Sequence, residues 1–365
     1  MSRIRRLDPQ TVEQIRAGEV IERPGSVVKE LVENAIDAGA QAIRVQIVEG
    51  GIREVTVHDD GQGMSPADAL LAVQRHTTSK IRRSSDLFGL STLGFRGEAL
   101  ASIAAVSRLE LVSRTADALE GTCIRVAGSE PAESAPVAAS QGTTVRVRHL
   151  FFNTPPRRAF LKSPVAEGNY VEEVLVGLAL SRPGLRFVFN RDRRLVFDAV
   201  AHTGPQALAR RAGAVLGETW ATSLVLDEDG TAEGGGGLHG ILGLPEHTRA
   251  TRTAQYLYVN GRQVKSAPLS SALSRAYGEL VAAKRFPVGV LFVSVPPREL
   301  DANVHPTKRE VKFQDEQAVL ETLIRQVRRR LDRANLFRRL ELPSAATSQP
   351  ESPAGSGVPT AARPG

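Results

Sequence analysis

The chain has a single cysteine, Cys123, in 365 residues. One thiol excludes an intrachain disulfide framework and any cysteine-cluster metal site, and it fits a reducing compartment. No long apolar run is present, so no transmembrane helix is expected. The opening MSRIRRLDPQ carries charge without an apolar stretch, which does not make a secretory signal. A cytoplasmic protein is therefore expected, and no internal repeat is visible. What the chain does have is charge of one sign in excess. Its net charge is +7, which suggests a polyanionic partner, most simply nucleic acid. With 41% hydrophobic residues, it is too long for one typical core, and two domains are expected.

Periodicity organises the chain as α+β. Residues 42–58 alternate like a hairpin about Gly50-Gly51. Strands are expected at 107–114, 121–127 and 143–149, with a helix near 167–181 and a strand pair around 185–198. Ser65 caps a helix that starts at Pro66. The stretch 201–205 is a reasonable boundary. Beyond it, Asn260-Gly261 marks a hairpin, followed by a helix at about 268–283, a strand at 288–295 and a basic helix at about 315–338. From 339 to 365 the chain reads as a disordered linker, rich in Pro, Ser, Ala and Gly, leading toward a further domain.

Four stretches suggest chemistry when taken together. In KELVENAIDAG (29–39), Val28, Leu31, Val32, Ala35 and Ile36 form an apolar face, with Ser26 as its expected N-cap and Gly39 as its end. Glu30, Asn34 and Asp37 stack on the other side. In HDDGQGMS (58–65), Asp59 ends a strand and Gly61 and Gly63 follow. Glycines there let a planar group approach the backbone, and an ionised Asp can only accept a hydrogen bond, as from an exocyclic amine. In GLSTLGFRGEALASI (89–103), glycines precede a helix start, where exposed amides bind phosphate. That stretch is neither a Walker-type loop nor GxGxxG. QGTTVRV (141–147) enters a strand with Gly-Thr. An acid and an amide on a helix, a carboxylate after a strand and a glycine lid are the parts of an ATP-hydrolysing site without a Walker loop.

The segments QIRAGEVIERPGSVVKELVENAIDAG, DDGQGM, RHTTSKI, TLGFRGEALASI, LFFNTPPRRAFL, YVNGR and ANVHPTKREVKF occur in that order. With them the chain resembles the MutL family of DNA mismatch-repair ATPases, related to DNA gyrase, the heat-shock chaperone and histidine kinases. The likeness runs from about residue 8 to 335. It implies a two-layer α/β sandwich ATPase domain of the Bergerat type at 21–203, and a ribosomal protein S5-like domain at 204–338. The arm at 1–20 would make a dimer contact.

The resemblance implies that Glu30 is the general base and that Asn34 is a Mg²⁺ ligand. It makes Asp59 the adenine reader, with Gly63 and Thr143 beside the base or phosphate. Thr78, Ser79 and Lys80, and Gly94, Phe95, Arg96, Gly97, Glu98, Ala99 and Leu100, would form the ATP lid. Lys308 would reach the γ-phosphate. Glu33 and Asp37 are expected to be solvated or to lie behind the site. Asp60, where many relatives carry Asn, would add a charge near the nucleotide. The family further implies a homodimer formed on ATP binding, and a clamp contacting DNA phosphates through Arg157, Arg158, Arg262 and Lys265. A MutS-type mismatch sensor and a downstream nuclease or helicase would be its other partners.

Three alternatives compete. A clamp with incidental hydrolysis would not need Glu30. The ATPase region of a type II topoisomerase does not share GFRGEAL and NTPPRR. A histidine-kinase-like phosphotransferase would need an acceptor-histidine domain, which is not evident.

Overall fold

The computed structural model describes residues 20–75, 77, 98–128, 130–226, 237–301 and 312–334. The expected N-terminal arm apart from Val20, and the C-terminal linker, therefore lie outside the described residues, as do Gly234, Gly235 and Gly236.

The chain folds as mixed α/β, with helices against sheets. Helix α1 (Pro24–Asp37) leads into strands β1 (Ala42–Val48) and β2 (Glu54–Asp59). Helices α2 (Pro66–Ala72) and α3 (Ala99–Ala105) precede β3 (Arg108–Arg114), β4 (Gly121–Ala127), β5 (Glu133–Val137) and β6 (Gly142–Arg148). Then come α4 (Pro155–Ala159), the long α5 (Pro164–Ser181), β7 (Arg186–Arg191) and β8 (Arg194–Ala199). The strands form an eight-stranded sheet in the order β5-β4-β3-β6-β2-β1-β7-β8. Neighbours run antiparallel except β1 and β7, which pair in parallel.

Alternation decides which face is covered. Ile43, Val45 and Ile47, with Val55, Val57, Leu109, Leu111, Phe187 and Phe189, are buried in the core shared with α1 and α5. Between those strand residues lie charges. Glu54 and Glu110 alternate with Arg125, Arg146 and Arg148 in a ladder of ion pairs 3.0–3.9 Å long. Exposed pairs of this kind contribute little stability each. They keep that face wet, which makes the sheet two-layered.

The second group begins with α6 (Ala207–Leu216) and β9 (Leu224–Leu226), then β10 (Gly237–Leu242), β11 (Thr248–Arg249), β12 (Gln255–Val259) and β13 (Arg262–Val264). Helix α7 (Ala267–Tyr277), β14 (Phe286–Pro287), β15 (Gly289–Ser294), β16 (Leu300–Asp301), β17 (Lys312–Phe313) and α8 (Glu316–Arg333) complete it. Its main sheet has the order β13-β12-β15-β10-β9, with β12 and β15 parallel. Leu269 and Leu273 of α7 and Leu323, Val327 and Leu331 of α8 pack against it. Asn260 and Gly261 have φ of 47° and 77° and close the β12–β13 hairpin as expected.

The two sheets are not isolated from each other. Ile241, Tyr258, Val288 and Val290 of the second pack into the core of the first. The Tyr258 hydroxyl donates to the Gly177 carbonyl on α5 at 2.6 Å. No helix among the described residues is long and apolar enough to cross a membrane.

Candidate nucleotide site

Helix α1 starts three residues earlier than the Ser26 cap would place it. Pro24 occupies the first turn, where its missing N–H costs nothing, and Arg23 precedes it without capping through its side chain. Arg23 is engaged elsewhere. Its Nε and Nη2 donate to Glu167 Oε2 and Oε1 at 3.0 and 2.9 Å, and its guanidinium stacks 3.9 Å from the Tyr170 ring centre. Glu167 is only 1% exposed and also accepts from the Lys162 amide at 3.0 Å. Gly25 makes this docking possible, because a Cβ there would lie 2.5 Å from the Tyr170 ring. The root of α1 is thereby fixed on α5.

The other end of α1 is fixed on the glycine loop. Gly39, at φ 73°, turns the chain out of the helix. The Gln62 amide donates back to the Ala38 carbonyl at 3.1 Å. Val28, Leu31, Val32 and Ala35 are buried, whereas Glu30, Asn34 and Asp37 are half-buried along one stripe. Of the two expectations for Glu33, solvated or behind the site, its burial favours the second. Its side chain is 12% exposed and lies 3.7 Å from Lys29 Nζ. Burial pushes its carboxyl up to about 7, with Lys29 and Arg262 acting against the rise and Glu30 and Asp37 with it.

Asp59 closes β2 and is 6% exposed. Its Oδ1 accepts from the Gly61 amide at 2.9 Å. Burial raises its pKa, while the amides of Gly61 and Thr143 work in the opposite sense. Thr143 is paired opposite Asp59 across β2 and β6. Gly142 must be glycine here: it has φ 113°, and a Cβ would sit 2.1 Å from the Asp59 carbonyl oxygen. Asp60 is engaged locally: its Oδ1 accepts from the amides of Gln41 and Ala42 at 2.7 and 2.9 Å. That carboxylate organises the α1–β1 turn, a task an Asn oxygen performs equally well.

Ser113 is a residue that the motifs do not point to. Its Oγ accepts from the Met64 amide at 2.9 Å, lies 2.9 Å from Thr143 Oγ1 and 3.0 Å from the Gly142 carbonyl. It ties the glycine loop to β3 and β6. The one signal for it in the sequence is a hydroxyl at an inward position of the alternation Leu109, Leu111, Ser113.

The structure thus gathers Asp59, Gly63 and Thr143 at one end of α1, the helix that carries Glu30 and Asn34. Glu98 precedes α3, and Ala99 and Leu100 open it. Thr78, Ser79, Lys80, Gly94, Phe95, Arg96, Gly97 and Lys308 lie outside the described residues. Arg157 and Arg158 sit on the short α4, while Arg262 and Lys265 belong to the hairpin that docks on α5. Lys265 Nζ lies 3.4 Å from Glu173 on that helix.

Comparison with known proteins separates the relatives sharing this architecture. Residues 22–141 match the family model "Histidine kinase-, DNA gyrase B-, and HSP90-like ATPase", and residues 212–332 match "DNA mismatch repair protein, C-terminal domain". The DNA mismatch repair protein MutL of Geotalea uraniireducens is 45% identical over 333 residues, which are 89% of this chain and 54% of that protein. The chain belongs to the MutL family. It spans about half the length of the curated relatives it matches. Among solved structures, the Aquifex aeolicus MutL ATPase domain complexed with ADP is 28% identical, with a TM-score of 0.56, covering 76% of this chain and 94% of that one. A crystal structure of the N-terminal domain of a DNA repair protein, 24% identical, shares the fold with a TM-score of 0.73 over 89% of this chain and 99% of its own.

Proposed function

We propose that this part of a MutL-family protein binds and slowly hydrolyses ATP, and that nucleotide binding drives its dimerisation into a DNA clamp. The observation carrying the reading is the join between α1 and the glycine loop. The Gln62–Ala38 hydrogen bond holds Asp59, Gly61 and Gly63 at the end of the helix that bears Glu30 and Asn34. Gly61 lets the loop pack closely against the end of α1, since a Cβ would lie 2.9 Å from the Ala38 carbonyl oxygen and 3.0 Å from Asp59 Oδ1. In this reading Asp59, held by the loop, accepts from the exocyclic amine of the base.

Glu30 orients a water and accepts its proton as the water attacks the terminal phosphate. Asn34 fits a Mg²⁺ site of the kind that draws most of its oxygens from phosphates and water, because no cluster of three or more acid, His or Cys ligands occurs among the described residues. Bound there, the ion would neutralise phosphate charge. Lys308 is assigned to the γ-phosphate and lid residues 78–80 and 94–100 to closure over it. The boundary between the two units is placed near 203–204. Arg157, Arg158, Arg262 and Lys265 are assigned to DNA phosphate, so binding should weaken steeply with salt. A MutS-type sensor upstream and a nuclease or helicase downstream are the proposed partners, in the cytoplasm at the nucleoid.

The test compares ATP turnover by the wild type and Glu30→Ala, alongside nucleotide affinity. Loss of a general base lowers kcat by about 10²–10⁴-fold while ATP still binds. Turnover by Glu30→Ala at the wild-type rate would refute the assignment. Sizing with a non-hydrolysable ATP analogue tests the dimer, and a monomer at every concentration would remove the clamp.

A further inference from the structure

Arginines on the open face of the first sheet are matched by acids: Arg125 by Glu110 at 3.0 Å, Arg148 by Glu54 at 3.1 Å and Arg186 by Asp198 at 2.7 Å. One group of cations in the second unit is not matched. Arg249, Arg252, Lys284 and Arg285 are all exposed, and none of them pairs with a carboxylate among the described residues. Residues 246–253 and 281–286 contain these four cations and a single acid, Glu246.

The fold collects them from two segments. Strand β10 ends, and β12 and β15 begin, at one end of the second sheet, where Gly289 pairs with Leu242 on one side and Gln255 on the other. The stretches just outside that end are therefore neighbours. Strands β11 and β14 join them, with Arg249 opposite Phe286. Side-chain contacts then hold the cations in place. Arg285 Nε and Nη2 donate to the hydroxyl and carbonyl of Thr248 at 3.0 and 2.7 Å. Arg249 Nη1 donates to the same carbonyl at 3.3 Å, and the Arg252 guanidinium lies 5.0 Å from the Phe286 ring centre. Each of these partners is neutral, so the charge is held without being cancelled.

The kind of partner follows from what surrounds the cluster. A protein partner calls for a large apolar or aromatic anchor. No exposed large hydrophobic side chain occurs here among the described residues, and Phe286 is half-buried beneath Arg252. A nucleic-acid backbone needs no such anchor, because it offers one charge about every 3.4 Å along each strand. The cluster lies at the opposite end of β12 from the Asn260-Gly261 turn and from Arg262, which pairs with Val259. The four steps of β12 span about 13 Å, so the two basic groups are separate contacts.

From this arrangement we propose that Arg249, Arg252 and Lys284 form a further phosphate-contacting surface for DNA, at the end of the second sheet away from Arg262, with Arg285 fixing the segment that carries it. The proposal rests on the DNA-binding part of the function proposed above.

The experiment is a fluorescence-anisotropy titration of a labelled mixed-sequence DNA duplex with the whole chain, without nucleotide, at salt concentrations between about 50 and 200 mM. It compares wild type, R249Q/R252Q/K284Q and R125Q/R148Q/R186Q. The last removes the same number of positive charges from acid-paired positions. Each phosphate contact contributes about 0.9 to the slope of log K against log salt, so the R249Q/R252Q/K284Q slope should be flatter than wild type by about 2.7. The R125Q/R148Q/R186Q slope should change by less than about 1. DNA-free ATP turnover should stay within about twofold of wild type in both. A wild-type slope for R249Q/R252Q/K284Q overturns the proposal and gives the cluster to an acidic protein surface. Equal flattening in the two triple variants also overturns it, because net charge alone would then account for the effect. If loss of Arg252 from Phe286 unfolds the segment, R249Q/K284Q decides, with an expected flattening of about 1.8. A wild type that binds no DNA at the lowest salt removes the DNA reading itself, and this surface with it.

Discussion

Two glycines with the same backbone angle and different surroundings allow a controlled test of why the loop at 58–65 has its sequence. Gly39 has φ 73° and Gly63 φ 71°. Around Gly39 an added Cβ meets nothing within 4 Å, whereas at Gly63 it would lie 2.0 Å from the Arg114 carbonyl oxygen. Alanine at either position incurs the left-handed backbone penalty of about 1–2 kcal/mol, partly offset by a less flexible unfolded chain. Gly39→Ala should therefore cost about 1 kcal/mol. At Gly63 the loop must also move off β3 by more than an ångström, an overpacking strain of about 1–3 kcal/mol. That movement breaks the 2.9 Å bond from the Met64 amide to Ser113 Oγ, worth about 1 kcal/mol. Gly63→Ala should then cost roughly 3–5 kcal/mol. Urea unfolding at constant m-value reads both. Equal losses, or a larger loss at Gly39, would show that the close approach of Arg114 does not constrain this loop.

Breaking the Arg23–Glu167 pair by Glu167→Gln should destabilise the chain by about 2–4 kcal/mol, below the full range for a buried pair because Arg23 keeps 23% of its side chain in water. The same urea titration measures it, and a loss under 1 kcal/mol would mean that α1 is held by packing alone. Glu33 supplies a pH dependence. Its folded pKa, about 7, lies above the unfolded 4.5, so the native state binds the proton more tightly. The associated stability is fully present below about pH 4.5 and is lost as pH rises through 7. The displacement corresponds to roughly 3 kcal/mol. The wild-type urea midpoint should fall from pH 5 to 8 while that of E33Q lacks this slope; a parallel slope in both would refute it.

Sequence punctuation makes much of this fold legible. The Gly39 end of α1, the Ser65-Pro66 start and the Asn260-Gly261 turn rest on local chemistry, and local chemistry survives into the folded chain. Ser65 Oγ does accept from the Asp68 amide, at 3.1 Å. Strand β5 escapes the periodicity because ESAPV has no alternation and its Pro136 suits an edge. Helix α6 escapes it for a different reason. Its Arg211 is fully buried, with Nη2 donating to the carbonyls of Pro183, Leu185 and Val200, so a charged residue occupies what the periodicity treats as the wet side. Asp59 and the glycines are legible in the same way as the turns. Ser113 and Glu167 are not, since their importance comes from strands and helices that only the tertiary fold brings together. Ser26 misleads as a cap because Arg23 has a distant partner that outweighs local propensity.

That distant partner has a consequence for how the protein is made. Arg23 and Glu167 are 144 residues apart, and β1 gains its parallel neighbour only when Arg186–Arg191 exists. At about 5–20 residues per second on the ribosome, α1 and β1 emerge roughly 7–30 s before the segments that secure them. During that interval the helix with Glu30 and Asn34 has no α5 to rest on. The nascent chain should thus bind no nucleotide until β7 has been synthesised, and its apolar α1 face is the surface a chaperone would meet first.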